Sequence, residues 1–188
     1  MSSFPTRRMR RLRRTPELRR LVQETQLVPS QLIWPLFVRH GEGVREEVSA
    51  LPGVYQTSVD EVVKDAERAA RLGLGGIILF GLPEAKDGTG SEAYDDQGIV
   101  QQAIRAVKQA VPRLLVVGDV CLCEYTDHGH CGVISDGDVD NDASVYLLGK
   151  VAVLTSSSSS LVVRTSSLPG GISNTKLASI SGPLITQS

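Results

Sequence analysis

The residues best suited to chemistry in this sequence lie in one stretch, CLCEYTDHGHC, at residues 121–131. It holds every cysteine of the chain and two of its three histidines, and an aspartate stands two positions before it. These residues are Cys121, Cys123, Cys131, His128, His130 and Asp119. Thiolates and imidazoles are the ligands that zinc prefers in proteins, so the stretch is a candidate metal site.

Three thiolates would fill three positions of a tetrahedral zinc site and leave the fourth open for water or substrate, which is the catalytic arrangement. Cys121 and Cys123 are two residues apart, and at the end of a strand such residues point to the same side. A short loop containing Gly129 could then return Cys131 to the same point. The spacing is therefore compatible with a catalytic zinc site.

Other interpretations stay open from the residues alone. Small buried cysteines are common in protein cores. A Cys-x-Cys pair could be a redox couple, although redox pairs usually have two residues between the cysteines, and zinc fingers show paired Cys-x-x-Cys units. His130 is a further ligand, a proton carrier or a surface histidine. Asp119 is either a carboxylate that faces the site or a residue at the entry to the loop.

Short apolar runs that alternate with amphipathic segments must position this stretch. Strands buried on both faces are predicted at 32–38, 76–81 and 114–123. Helices are predicted between Ser58 and Gly73, at 99–111 and at 140–153. The alternation predicts an α/β fold with a parallel sheet, in which ligands meet the C-terminal ends of strands. The third strand leads directly into the cysteines.

Local signals add detail to two of these elements. Ser58 and Glu61 form a capping-box pattern at the start of the first helix, and Gly73 is placed to end it. Pro35 cannot donate to a sheet, so it predicts a strand start or a bulge within the first apolar run.

Charge is distributed unevenly along the chain. Residues 1–20 hold eight basic residues and one acidic residue, whereas the rest holds 12 basic and 20 acidic residues. This pattern predicts a basic arm on an acidic body, with the arm either solvated or packed on an acidic partner subunit. No aromatic residues interleave with the arginines, which argues against nucleic-acid binding.

The sequence predicts neither membrane insertion nor secretion, because it has no apolar run of spanning length and no apolar region of a signal peptide. Three clustered cysteines do not make a disulfide framework and favour a reducing, cytoplasmic setting. From Thr155 the chain is rich in Ser, Gly and Pro and has the composition of a linker.

The segment GDVCLCEYTDHGHCG resembles the metal-binding stretch of the delta-aminolevulinic acid dehydratases, also called porphobilinogen synthases. Further segments resemble the same family in order, and the resemblance covers roughly residues 7–153. They are RMRRLRRTPELRRLVQET, LIWPLFV, LPGVYQTSVD, LGLGGIILFGLPEAKDGTGSEAYDDQGIVQQAIRAVK and DVDNDASVYLLGKVAV.

The resemblance implies a TIM (β/α)8 barrel whose N-terminal arm embraces a neighbouring subunit in a homo-octamer. It implies a lyase that condenses two 5-aminolevulinate molecules to porphobilinogen with loss of two waters, early in tetrapyrrole and heme synthesis. It also implies that Cys121, Cys123 and Cys131 bind Zn²⁺ and that Asp119 lines the active site.

By the same resemblance, two lysines should form Schiff bases with the substrate ketones. Four of the five lysines, Lys64, Lys86, Lys108 and Lys150, lie in segments that match non-catalytic parts of the family. The segment NTKLASISGP around Lys176 weakly resembles one Schiff-base motif of the family, and the second lysine has no counterpart. A TIM barrel also needs eight strands and about 250 residues.

We therefore expect a truncated or aberrantly spliced family member with a basic arm at 1–30, a partial barrel of roughly three βα units at 31–154, and a Ser/Gly-rich tail at 155–188. The expected function is porphobilinogen synthesis by descent, with this chain inactive on its own. The alternatives are a fragment that joins full-length subunits and modulates their assembly, and a metal-binding fragment without a partner.

Overall fold

The computed structural model describes residues 10–156 and 161–163. Helices and strands alternate through most of this range, as the sequence predicts. The helices are α1 (Pro16–Leu21), α2 (Val59–Arg71), α3 (Ile99–Ala110) and α4 (Asn141–Ser156). The strands are β1 (Ile33–Arg39), β2 (Arg45–Glu47), β3 (Tyr55–Thr57), β4 (Gly76–Leu82), β5 (Leu115–Asp119), β6 (Val133–Ser135), β7 (Asp138–Asp140) and β8 (Leu161–Val163).

Six of these strands form one sheet in the order β2-β3-β1-β4-β5-β8. All neighbours in it are parallel except β2 and β3. Helices α2, α3 and α4 connect β3 to β4, β4 to β5 and β5 to β8, so the parallel strands are joined by helical crossovers. Within the described residues the sheet is open and does not close into a barrel, which confirms the predicted α/β class and the partial barrel.

The core lies between the sheet and the helices α2 and α3. Its fully buried side chains come from β1, β4 and β5 on one side and from the two helices on the other. They include Val38, Ile77, Leu79 and Val116 from the strands, and Val62, Ala66, Ala69, Ala103, Ile104 and Val107 from the helices. Burying one such Val, Ile or Leu side chain contributes about 1.5–3 kcal/mol. This layer fixes the direction of the strands and hence the edge at which their C-terminal loops meet.

The three predicted strands are present, but three further strands of the sheet were not foreseen. β2 and β3 lie between the first predicted strand and the first predicted helix, and at three residues each they are too short to show an apolar period. β8 falls inside the predicted tail and pairs in parallel with β5. Residues 155–156 of the predicted tail form the end of α4, whereas residues 157–160 and 164–188 of the tail and residues 1–9 of the arm lie outside the described residues.

The first strand differs from its prediction in two details. Pro35 is neither at a strand start nor in a bulge, because it pairs in register with Ile78 of β4. It is tolerated because β1 pairs with β3 only at Phe37 and Val38, so Pro35 stands where the strand has one paired neighbour. The strand is also not buried throughout, since Ile33 is 49% exposed.

The predicted capping box of α2 is wrong, although Ser58 is the N-cap residue. The Ser58 hydroxyl accepts a hydrogen bond from the Val44 amide at 2.9 Å and donates to the Asp60 carboxylate at 2.5 Å, so it serves the preceding loop instead of the helix amides. Glu61 pairs with Arg45 rather than with the cap amide. The C-terminal prediction is confirmed, because Gly73 follows the helix with a φ of 69°.

The described part of the arm contains no buried residue in its helix. Thr15 caps α1 by accepting a hydrogen bond from the Leu18 amide at 3.2 Å. Leu21 and Leu27 are 80% and 75% exposed. Elsewhere, no helix in the described residues has the length and hydropathy needed to cross a membrane.

Candidate metal centre

The cysteines lie in the loop that follows β5, a strand of the parallel part of the sheet. β5 ends at Asp119, and the carbonyl of Leu122 accepts hydrogen bonds from the amides of Tyr125 and Thr126, each at 2.9 Å. The prediction that this strand continues as far as Cys123 is therefore wrong. The cysteines are brought together by a turn of the backbone and not by the alternation of side chains along a strand.

Within the cysteine loop (residues 120–132), the three sulphur atoms are neighbours. Sγ of Cys121 lies 3.2 Å from Sγ of Cys123 and 3.1 Å from Sγ of Cys131. All three are free thiols, and their sulphur atoms lie within 4.8 Å of one another. Gly129 has a φ of 72°, a conformation that glycine adopts without steric cost, and this turn lets the loop return Cys131 to the other two.

The three thiols fit a zinc ion in number and ligand type. Sulphur ligands around tetrahedral zinc, with Zn–S distances of about 2.3 Å, lie about 3.8 Å apart. The shortest sulphur contact of this cluster, 3.1 Å, falls short of that value by about 0.7 Å, so the thiols would have to move apart by this amount to hold the ion. Thiolates are soft ligands that select zinc over magnesium or calcium. Three protein ligands leave a fourth position open.

Burial controls the protonation of these thiols. Cys121 is 4% exposed, and desolvation raises the pKa of its thiol far above the ordinary range. Desolvation is also the main cause that raises the pKa of Cys123, to about 11. Without a nearby cation both residues are thus neutral thiols at physiological pH. A bound metal ion reverses this, because it stabilises the thiolate form.

Two carboxylates lie beside the thiols. The ligand atoms of Asp119, Cys121 and Glu124 are within 4.8 Å of one another, and Glu124 Oε2 is 3.5 Å from Cys123 Sγ. Asp119 is half-buried at the strand end. Its carboxylate therefore lies beside the thiol of Cys121, and its role as a site residue stays a prediction.

Neither histidine of the stretch belongs to the clusters of potential metal ligands found in the described residues. The His128 ring nitrogen Nε2 lies 3.3 Å from the carbonyl of Gly88, and its Nδ1 accepts a hydrogen bond from the His130 amide. His130 is exposed, and its carbonyl accepts a hydrogen bond from Thr126 at 2.9 Å. Of the three interpretations of His130, that of a surface histidine fits this position best.

The β4 loop (residues 83–98) is hydrogen-bonded to the cysteine loop. The Asp87 amide donates to the carbonyl of Tyr125 at 3.3 Å, and the Asp87 carbonyl accepts from the Asp127 amide at 3.1 Å. A hydrogen bond from the Ser91 hydroxyl is the main cause that holds the pKa of the Asp87 carboxyl well below its usual range. Sequence reasoning missed this residue, although the pattern DGTGS is typical of an aspartate that caps its own turn.

A second missed feature is the third histidine. His40 Nε2 lies 2.6 Å from Glu92 Oε1, which also accepts a hydrogen bond from the Ile99 amide at 3.2 Å. The other oxygen of Glu92 accepts from the Glu84 amide at 3.3 Å. Glu92 thus joins the end of β1, the β4 loop and the start of α3. No short-range motif announces this contact, because His40 and Glu92 are far apart in the sequence.

The lysines of the described residues do not form a pair at the thiols. Three of them have other partners: Lys64 binds Glu61, Lys108 binds the carbonyls of Pro112 and Leu114, and Lys150 lies over the rings of Tyr94 and Tyr146. Lys86 is exposed on the β4 loop. Lys176, the candidate remnant of a Schiff-base lysine, lies outside the described residues.

Comparisons of the sequence with a family model and with curated proteins point to the same family. The sequence model of the family "Delta-aminolevulinic acid dehydratase" matches residues 6–176, which extends past the predicted end of the resemblance into the predicted tail. The protein of that name from Halalkalibacterium halodurans is 48% identical over 164 residues, covering 87% of this chain and 50% of the relative. That from Ruminiclostridium josui is 47% identical over 146 residues, covering 78% of this chain and 71% of the relative.

A solved structure agrees with these relatives. The crystal structure of the delta-aminolevulinic acid dehydratase from Toxoplasma gondii, in complex with the reaction product porphobilinogen, superposes with a TM-score of 0.81 at 32% sequence identity. The match covers 87% of this chain and 48% of that chain. This chain thus spans about half the length of most of the curated relatives that it matches.

Proposed function

Because the chain belongs to the delta-aminolevulinic acid dehydratase family, we propose that its cysteine loop is the zinc centre of a porphobilinogen synthase. Cys121, Cys123 and Cys131 would hold the ion, and the observation that carries this proposal is the contact of their three sulphur atoms at the end of β5. When bound, zinc with an open position polarises a carbonyl or lowers the pKa of a bound water.

The residues around the thiols have supporting roles in this proposal. Asp119 stands at the strand end with its carboxylate next to Cys121, where it can accept a proton or a hydrogen bond from a molecule in the open position. The substrate proposed from the family is 5-aminolevulinate, two molecules of which condense to porphobilinogen with loss of two waters. Three reduced thiols would also persist best in a reducing compartment, and we propose the cytoplasm.

The proposed reaction needs amines that capture the substrate ketones, and this limits what the chain does on its own. Three of the lysines in the described residues are engaged elsewhere, and Lys86 is exposed. We propose that the isolated 188-residue chain binds zinc without forming porphobilinogen. The test is incubation of the purified chain with 5-aminolevulinate and zinc; we expect no porphobilinogen, and zinc-dependent turnover would contradict the proposal.

The arm supports a second candidate function, association with other subunits of the family. Leu12, Leu21, Val22 and Leu27 are exposed among the arginines of the described arm, so apolar surface lies next to positive charge. Such surfaces mark protein interfaces. We propose that the arm packs on an acidic body, in a homo-octamer or on a full-length family member.

Mixing the chain with a full-length relative and measuring mass by light scattering tests this association. We expect mixed oligomers with the intact chain and none with a variant that lacks residues 1–28. Equal association of both forms would show that the arm is not the contact.

A further inference from the structure

The β4 loop is joined to the cysteine loop by contacts that centre on one residue. The Asp87 backbone makes two hydrogen bonds to the cysteine loop. Its amide donates to the Tyr125 carbonyl at 3.3 Å, and its carbonyl accepts from the Asp127 amide at 3.1 Å. Asp87 and Thr126 form a parallel bridge between the two loops. One residue further on, the carbonyl of Gly88 lies 3.3 Å from the ring of His128. The two loops therefore form one unit at the edge of the sheet.

The carboxylate of Asp87 fixes the conformation from which these contacts are made. One oxygen accepts hydrogen bonds from the Thr89 amide at 2.7 Å, the Thr89 hydroxyl at 3.0 Å and the Ser91 amide at 3.2 Å. The other accepts from the Ser91 hydroxyl and, at 3.2 Å, from the Ser91 amide. Hydrogen bonds to a charged acceptor are the stronger ones, so this carboxylate holds its turn rigidly.

The segment held by Asp87 separates two of the thiols. Residues 125–127 lie between Cys123 and Cys131, and Thr126 extends the connection by donating to the carbonyl of His130 at 2.9 Å. The position of Cys131 relative to Cys123 thus depends on a segment whose backbone is fastened to the β4 loop.

We propose that Asp87 is a positioning residue for the three-thiol metal centre, acting through the backbone of the cysteine loop. Its side chain binds Thr89 and Ser91, and its effect on the sulphur atoms is to hold the loop in the geometry that a metal ion requires. Binding to a loop that is already ordered costs less conformational entropy than binding to a loose one. This inference rests on the proposed zinc centre, which the test below examines separately.

The experiment is a titration of the full chain with Co²⁺, whose thiolate charge-transfer absorption counts the sulphur ligands, followed by displacement with Zn²⁺. Removing an outer-shell partner of a metal site typically costs about 10–100-fold in affinity. We expect such a loss for Asp87→Ala, with a weaker charge-transfer band per cobalt. Asp87→Asn keeps an oxygen that can accept the Thr89 amide, and we expect an intermediate affinity.

Asp60→Ala is the matched control. Asp60, in the first turn of α2, also accepts hydrogen bonds from a backbone amide, that of Gly43 at 3.1 Å on the loop after β1, and from a hydroxyl, that of Ser58. We expect its cobalt affinity and spectrum to equal those of the wild type, while urea unfolding of all variants measures their global stability.

Each outcome decides between the two claims. If the wild type shows no thiolate absorption, the proposed zinc centre fails and this inference fails with it. If the wild type binds cobalt through thiolates and Asp87→Ala binds it equally well, only the inference is overturned. An equal loss in Asp60→Ala would also overturn it, because the effect would then be general destabilisation. If Asp87→Ala does not fold, Asp87→Asn decides, and wild-type affinity in that variant counts against the proposal.

Discussion

At the scale of single residues, the chemistry of the centre follows from the burial of thiols beside negative charge. Cys121 is almost fully buried, and Glu124 lies against Cys123. Both conditions raise the thiol pKa of Cys121 and Cys123, so these two residues are neutral until a cation binds. The same side chains that are inert without metal thus become a strong ligand set with it, and protons are exchanged for the ion.

This exchange predicts that zinc binding strengthens as the pH rises. The pKa of Cys123 is raised to about 11 and that of Cys121 further, so each thiol must lose a proton to bind the ion. The apparent affinity should rise up to about tenfold per pH unit for each proton released. Competition with a chelator between about pH 6 and about pH 8 measures this slope. A flat profile would contradict the assignment of the thiols as ligands.

A second prediction at this scale concerns Asp87. Its folded-state pKa lies below the ordinary aspartate value, so its carboxylate stabilises the fold at pH values above the unfolded pKa, and this contribution is lost as the pH falls through the folded pKa. Wild type should therefore exceed Asp87→Asn in free energy of unfolding at neutral pH, and the difference should shrink below about pH 3.9. Urea unfolding at decreasing pH checks this; a constant difference would refute it.

At the scale of elements, β4 and the cysteine loop are fitted closely to each other. The ring of Tyr125 is buried with Leu122, Ala93 and Leu148 in a small cluster under the loop. Its hydroxyl lies directly over Gly81 of β4, where any side chain would overlap with it. Glycine at this position therefore sets how near the loop approaches the strand.

Gly81→Ala should destabilise the protein, because the added methyl would overlap with the Tyr125 hydroxyl and lie 2.7 Å from a methyl group of Val100. Overpacking of this kind costs about 1–3 kcal/mol. Gly88→Ala is the control, since a methyl there meets no atom within 4 Å, and it should change stability by less than about 0.5 kcal/mol. Urea unfolding measures both; equal effects would show that the close approach at Gly81 carries no stability.

Elements with a long apolar period could be predicted from sequence, whereas those fixed by distant contacts could not. β4 and α3 lie within a residue or two of their predicted bounds because their burial follows the local pattern of apolar residues. β2 and β3 carry no such pattern and exist through pairing with each other and with β1. The Ser58 hydroxyl is predicted to cap the amides of its own helix, but it accepts a hydrogen bond from the Val44 amide of the preceding loop instead.

The candidate site likewise has features that the local sequence predicts and features that distant contacts determine. The cysteine cluster could be found in the sequence because all three cysteines of the chain lie close together, and Asp119 was noticed because it stands two positions before the first of them. The turn at Leu122 and the contacts of Asp87 with the cysteine loop could not be predicted in this way. Both are made by backbone hydrogen bonds, which no residue type specifies. The predicted boundaries of arm, barrel and tail stay predictions, since much of the first and last parts lies outside the described residues.

At the scale of the whole molecule, the cysteine loop is attached to the sheet through β5 and to α4 through the cluster under the loop. Leu148 and Val151 of α4 pack with Leu122 and Tyr125 of the cysteine loop. A metal ion that fixes this loop therefore adds its binding free energy to the folded state alone.

Zinc should thus raise the thermal stability of the whole chain. A ligand at about 100 times its dissociation constant stabilises the folded state by about 2.7 kcal/mol. We expect a higher Tm with zinc, a return to the metal-free value with a chelator, and no response in a variant with Cys121, Cys123 and Cys131 replaced by serine. Equal zinc effects on this variant and on the wild type would place the binding elsewhere.

The most direct test of the central claim is X-ray absorption spectroscopy at the zinc edge on the zinc-loaded chain. Three cysteine ligands and an open position predict three sulphur scatterers at about 2.3 Å and one lighter scatterer, oxygen or nitrogen. Replacing Cys131 by serine should reduce the sulphur count to two. A zinc ion surrounded by oxygen and nitrogen alone would contradict the assignment of Cys121, Cys123 and Cys131 as the metal centre of this protein.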